Sequence, residues 1–258
     1  MGIKIAVSGK GGVGKTTLAA LVSRDLARRG RRVIAVDADP VANLGAALGI
    51  AGDAAPTPIS ELREIIAERT GAQPGTFGGF FRMNPRVDDI PDRFTVRVAG
   101  IRLIVMGTVE KGGSGCVCPE SVLLKSLVQH LLLSEDDAVV MDMEAGIEHL
   151  GRATARAVDV LLIVVDPGAR SHAAARKIRE LAADIGIETV RVVGNRVRSE
   201  RERGAIAAAL PGFDILGFLP EDDAVREADR CATLPYPDLA AAPKELDDIV
   251  DALLKLER

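Results

Sequence analysis

The strongest constraint on how this chain can fold is the stretch Gly9-Lys10-Gly11-Gly12-Val13-Gly14-Lys15-Thr16-Thr17, set directly behind the apolar run Ile3-Lys4-Ile5-Ala6-Val7. It fits G-x-x-x-x-G-K-[ST], with a strand before it and a helix predicted over 16–29 behind it. Such a loop works because glycines let successive backbone N–H groups turn inward around phosphate oxygens. The helix that follows aims its positive end at the same anion. In this arrangement Lys15 reaches the β- and γ-phosphates, and the Thr16 hydroxyl binds Mg²⁺. A chance glycine-rich turn is the bland alternative, and a strand, loop and helix in register speak against it.

The rest of the chain alternates strand and helix. Arg32 to Asp37 is a near-continuous apolar run, as a strand buried on both faces requires, and it ends in Asp37-Ala38-Asp39-Pro40. Ala138 to Asp142 repeats the pattern, again with a terminal carboxylate. Val158–Val165, Thr189–Val193 and Ile215–Leu219 are further strands, with a helix over 171–185 between the first two. Phe94–Val98 and Ile101–Met106 flank Ala99-Gly100 and predict a hairpin. The expected fold is a single α/β domain over 1–258, a mostly parallel central sheet with helices on both faces. Carboxylates at strand ends beside a phosphate loop are where Mg²⁺ and attacking water are handled. Two solvated turn aspartates at 37 and 39 are the alternative.

Residues 56–93 form an insertion: Thr57-Pro58 opens a helix through about Thr70, then a long loop runs from Gly75 to Pro91. Its Phe77, Phe80 and Phe81 either dock a partner or pack onto the core, and the second is expected. A closing helix, about 243–256, places 246, 249, 250 and 253 on one apolar face. Its other face carries Glu245, Asp247, Asp248 and Asp251, so it is expected to dock on the sheet and not on a membrane.

Composition limits the partners. A net charge of −4, with 33 basic residues spread along the chain, argues against nucleic acid and anionic membranes. No apolar run approaches the ~20 residues of a spanning helix. The phosphate loop follows the first strand at once, so no signal segment is expected. Three cysteines suit a reducing cytoplasm and make no disulfide scaffold.

Two of those cysteines carry a second chemistry. Cys116-Val117-Cys118 lies on a glycine-rich loop, 110–121, at the start of a helix predicted from Pro119 to about Leu133. The helix dipole there is expected to lower a thiol's pKa and favour the metal-binding thiolate. Two thiolates do not close a tetrahedral site, which wants four ligands. In a symmetric homodimer, a loop near the two-fold axis meets its own copy, and four sulfurs can surround one Zn²⁺, Ni²⁺ or Cu⁺. Idle or reversibly oxidised thiols are the alternative. Cys231 is isolated and reads as a packing thiol.

Lys10, just after the first glycine, makes the loop read GKGGVGKTT, which resembles the deviant Walker A motif of the Min, Par and nitrogenase-iron-protein group of ATPases. The resemblance implies slow ATP hydrolysis to ADP, used as a switch, in a dimer where Lys10 crosses to the partner's nucleotide, as an arginine finger does. It makes Gly9 through Thr17 the phosphate cradle. It puts Asp37 in the Mg²⁺ shell and gives Asp39 the task of positioning the hydrolytic water. Asp142 becomes the Walker B-like residue, and Gly146 offers the γ-phosphate a backbone N–H. Asn195 reads adenine, and Pro220-Glu221-Asp222 walls the purine. More specifically, Cys116-Val117-Cys118-Pro119 and Asp142-Met-Glu-Ala-Gly-Ile-Glu-His149-Leu-Gly-Arg152 are similar to the carbon monoxide dehydrogenase accessory ATPases. That implies ATP-dependent nickel insertion into the dehydrogenase's active-site cluster, or service to the related acetyl-CoA synthase. Two other readings stay open. Iron–sulfur reductases and cluster carriers also bridge a group between two chains, but with cysteines far apart or spaced C-x-x-C. A Min- or Par-type positioning switch would carry a basic stripe or a basic last helix.

Overall fold

The computed structural model describes residues 2–50, 54–74, 80–108, 118–133, 136–144, 147, 150, 152–231 and 233–257. Eight strands form one sheet: β1 (Lys4–Gly9), β2 (Val33–Ala38), β3 (Val96–Val98), β4 (Ile101–Val105), β5 (Ala138–Met143), β6 (Val160–Val165), β7 (Val190–Val197) and β8 (Ile215–Pro220). Their order is β3-β4-β2-β5-β1-β6-β7-β8. Only the β3–β4 edge pair is antiparallel. The central strands are buried along their whole length, which is why their sequences lack polar alternation.

Alternate residues of each strand feed two separate cores. Ile34, Val36 and Ile104 face α5 (Pro119–Leu133) and α7 (Ala169–Ile185). Ile5, Val7, Val33 and Ala35 face α1 (Lys15–Arg28) and α10 (Lys244–Leu254). Helices on both faces give each strand residue an apolar partner, and a fully buried aliphatic side chain is worth about 1.5–3 kcal/mol.

β5 inserts between β2 and β1, and this decides the site. Asp37 and Asp142 become register partners on adjacent strands, with Val7 beside Asp142 on the other side. Both carboxylates therefore end beside the loop that follows β1.

Several expectations need correcting. The helix predicted from 57 to 70 is broken: a 3₁₀ turn covers Ile59–Glu61, and α3 runs only over Arg63–Thr70. Leu62, at φ −76° and ψ 70°, cannot continue a helix. The loop before the hairpin contains a short α4 (Ile90–Arg93) and buries Val87 and Ile90. Phe80 is wholly exposed, so it does not pack on the core; Phe77 lies outside the described residues. α10 buries Leu246, Ile249, Val250 and Leu253 as its spacing requires. Its acidic face is not simply solvated, because Asp247 and Asp251 pair with Arg28 and Arg29 at the end of α1. Among the described residues, no helix is long and apolar enough to cross a membrane.

Candidate functional site

The loop between β1 and α1 sits at the middle of the sheet's carboxyl edge. Gly9 is required by crowding, since a Cβ there would lie 2.4 Å from the Val164 carbonyl oxygen of β6. Gly14 is required twice: its φ is +94°, and a Cβ would lie 2.3 Å from the Asn195 side-chain nitrogen. Val13 is buried beneath the loop, whereas Gly11 and Gly12 are exposed at its tip. Lys15 opens α1 and is buried, while Thr16 and Thr17 are half-buried. Lys10 is half-buried at the loop, its Nζ donating to the Gly11 carbonyl at 3.3 Å.

The two strand-end carboxylates have different surroundings. Asp37 is fully buried, and its oxygens organise the loop ahead of a short helix, α2 (Leu44–Ala47). One oxygen accepts from the Asp39 N–H at 3.3 Å, the other from the Leu44 N–H at 2.8 Å. Burial raises its pKa to about 6, against the pull of those N–H groups. Asp142 is 1% exposed, and among the described residues neither of its oxygens has a hydrogen-bond partner of normal geometry. Burial raises its pKa to about 7, with the Thr16 hydroxyl and Lys15 ammonium acting in the opposite sense. A buried carboxylate without donors, beside a hydroxyl and a second carboxylate, is the oxygen-donor set that suits Mg²⁺. The residues fit the ion. Asp39 is half-exposed and folds back to accept from the Val41 N–H at 2.9 Å.

The same cleft continues past the phosphate loop toward β7 and β8, the whole having a volume of about 510 Å³. Asn195, near the end of β7, donates its side-chain amide to the Val13 carbonyl at 2.7 Å. Its Oδ1 is thereby turned away from the loop's carbonyl and can accept from a donor on a base. The Pro220-Glu221-Asp222 turn closes the far wall. Glu221 is held by Arg198 and Arg226, and the Arg198 hydrogen bond keeps its carboxyl below the usual range. Asp222 accepts from the Ala224 N–H at 2.7 Å, capping α9 (Asp223–Cys231), and from the Tyr236 hydroxyl. Sequence reasoning missed Tyr236; it is the chain's single tyrosine, set between two prolines, and that rarity was the available signal.

Cys118 stands immediately before α5, half-buried, with its Sγ accepting from the Ser121 N–H at 3.4 Å. The expected lowering of its thiol pKa is reversed: burial pushes it up, and the Ser121 N–H offsets this only in part. Cys116, Gly146 and His149 lie outside the described residues. Among the described residues, no group of three metal-ligating side chains comes together. Cys231 is exposed at the end of α9, near Glu227, and is not a packing thiol.

A domain model described as CobQ/CobB/MinD/ParA nucleotide binding domain matches residues 4–232. The carbon monoxide dehydrogenase accessory protein CooC of Rhodospirillum rubrum is 47% identical over 99% of this chain and 97% of its own length. An uncharacterised ATP-binding protein of Methanocaldococcus jannaschii is 44% identical over 99% of both chains. A chain of the MinC:MinD cell division protein complex of Aquifex aeolicus superposes with a TM-score of 0.71 at 22% identity, covering 99% of this chain and 96% of that one. With its phosphate loop, paired carboxylates and strand order in place, the chain is an ATPase and belongs to the CobQ/CobB/MinD/ParA nucleotide-binding domain family.

Proposed function

We propose that this ATPase is a maturation factor for a nickel-dependent carbon monoxide dehydrogenase and assists nickel insertion into its active-site cluster. The observation that carries the reading is identity of 47% to a carbon monoxide dehydrogenase accessory protein over nearly the whole of both chains. Acetyl-CoA synthase, whose site also holds nickel, is the related target.

Lys15 holds the β- and γ-phosphates, inside the cradle formed by the backbone of Gly9 through Thr17. Thr16 and Asp142, with Asp37 behind them, would hold Mg²⁺, which would supply positive charge against the triphosphate. Asp39 orients a water for in-line attack at the γ-phosphorus. The bond from that phosphorus to the bridging oxygen breaks, and ADP and phosphate leave. One Asp39 oxygen accepts from the Val41 N–H, and the other is the one that would hold such a water. Gly146 donates its N–H to the γ-phosphate. Asn195 accepts from the 6-amino group of adenine; guanine would present an acceptor to the same oxygen, which selects ATP over GTP.

Two chains close face to face on ATP. Lys10, whose side chain rests on its own loop, swings across to the partner's nucleotide. Cys116 and Cys118 of each chain together bind one Ni²⁺ or Zn²⁺. ATP and metal then meet at one interface, each altering the other's affinity by the same factor. The protein works in the cytoplasm and needs neither nucleic acid nor membrane.

The test is a maturation assay. Nickel-free dehydrogenase, Ni²⁺, ATP and this protein should yield CO-oxidising activity. The Asp39→Ala protein, which binds ATP without hydrolysing it, should yield little. Equal activation by parent and variant would refute the ATP-driven step.

A further inference from the structure

The segment from Thr233 to Pro237 connects α9 to the stretch before the C-terminal helix. Thr233, Pro235 and Tyr236 line the cleft, as do Leu21, Val225 and Leu246. Three independent contacts fix this segment. Arg24, buried within α1, donates to the Pro235 carbonyl at 2.8 Å and to the Pro237 carbonyl at 3.0 Å. Leu234 packs so closely on Gly49, just past α2, that a Cβ at Gly49 would lie 2.7 Å from it. The Tyr236 hydroxyl donates to Asp222.

Tyr236 pays a backbone cost to be there, because its φ is +53°, a region that non-glycine residues rarely adopt. Strain of this kind persists only where the surroundings over-determine it, and it collects at ligand-binding positions. Each oxygen of the Asp222 carboxylate is engaged, one capping α9 and the other accepting from the phenol, so the turn that carries it is tied to both α9 and the strap.

We propose that Tyr236 is a positioning residue for the adenine base. The strap it belongs to, anchored on α1 by Arg24, holds the Pro220-Glu221-Asp222 turn at the distance that one flat purine fills. The phosphate end of the cleft is built from the loop after β1 and does not depend on the strap. Removing the phenol frees the turn and weakens recognition of the base, while the triphosphate is still held. This inference rests on the proposed seat of adenine against the Pro220-Glu221-Asp222 turn, and it is independent of the maturation reading.

The experiment compares two ligands on one variant. Tyr236→Phe keeps the ring and removes the hydroxyl, a hydrogen bond to a charged group, and should weaken Mg·ATP binding about tenfold. Binding of Mg·tripolyphosphate, which has the phosphates without the base, should stay within about twofold of the parent by the same calorimetric titration. In steady-state ATPase assays KM should rise about tenfold, with kcat at saturating ATP changed by less than about twofold. Should Tyr236→Phe fail to fold, Arg24→Lys, which releases one of the strap's two carbonyls outside the cleft, carries the same expectation. ATP affinity within twofold of the parent overturns the proposal. So do equal losses for ATP and tripolyphosphate, since a general loosening of the fold would weaken both.

Discussion

Asp142 is the residue whose replacement should stabilise the resting protein while harming its function. Its carboxyl is raised from an ordinary 3.8 to about 7 because burial penalises the charged form by more than the Thr16 hydroxyl and the Lys15 ammonium favour it. A group raised in this way binds its proton more tightly in the folded than in the unfolded chain. The stability it contributes is complete below about pH 4 and is lost as pH rises through about 7. A displacement of about three pH units corresponds to about 4 kcal/mol. Asp142→Asn removes the charge and keeps the shape. Asn keeps only part of the contact with Thr16 and Lys15, so the net gain at pH 8 should be about 2–4 kcal/mol, a rise in Tm of about 5–10 °C. At pH 5 the folded carboxyl is protonated while the unfolded one is mostly ionised, so the variant's advantage should be smaller than at pH 8 by about 2–3 kcal/mol. The assay is thermal and urea unfolding from pH 5 to 8.5 with a metal chelator and no nucleotide. Adding Mg·ATP should then stabilise the parent far more than the variant. The reasoning fails if Asp142→Asn is no more stable than the parent at pH 8. It fails equally if the difference between the two is the same at pH 5 and pH 8.

Gly14→Ala places a Cβ 2.3 Å from the Asn195 amide at a φ of +94°, so it should cost about 1–2 kcal/mol of stability and at least about tenfold in ATP affinity; calorimetric binding within twofold of the parent would contradict this. Lys10→Gln chains and Asp39→Ala chains should each be nearly inactive alone, yet regain part of the parental ATPase when mixed. The mixed dimer holds one composite site with Lys10 and Asp39 both intact, so a mixture no more active than its components, with mixed dimers shown to form, would remove Lys10's role across the interface.

The parallel strands were legible because burial on both faces leaves near-continuous aliphatic runs, and the carboxylates ending those runs at 37 and 142 stand out against them. The phosphate loop was legible because its chemistry is local in sequence. What depends on packing between distant segments was not. No spacing rule puts β5 between β1 and β2, yet that order alone makes Asp37 and Asp142 neighbours. The Asn195 bond to Val13 joins residues 182 positions apart, and the strap anchored by Arg24 joins α1 to a segment more than 200 residues later. Cys118 shows the same limit in its electrostatics. Its place at a helix start was visible, but the burial that raises its thiol pKa belongs to the fold. The break at Leu62 escaped because an apolar residue in a helix-compatible run carries no local sign that its backbone is extended.

The central claim is that nucleotide and metal meet at one dimer interface. The most direct measurement is an equilibrium titration with Ni²⁺ or Zn²⁺, read by sedimentation and elemental analysis, with and without a non-hydrolysable ATP analogue. One metal per two chains and metal-driven dimerisation are expected. Affinity should fall as pH drops, because the Cys116 and Cys118 thiols must lose protons to bind. Cys118→Ser should abolish that dimerisation yet leave ATP binding at the phosphate loop within about twofold, and the exposed Cys231→Ser should change neither. ATP should shift metal affinity by the factor through which metal shifts ATP affinity. One metal per chain in a monomer, or a metal affinity indifferent to ATP, would contradict the account.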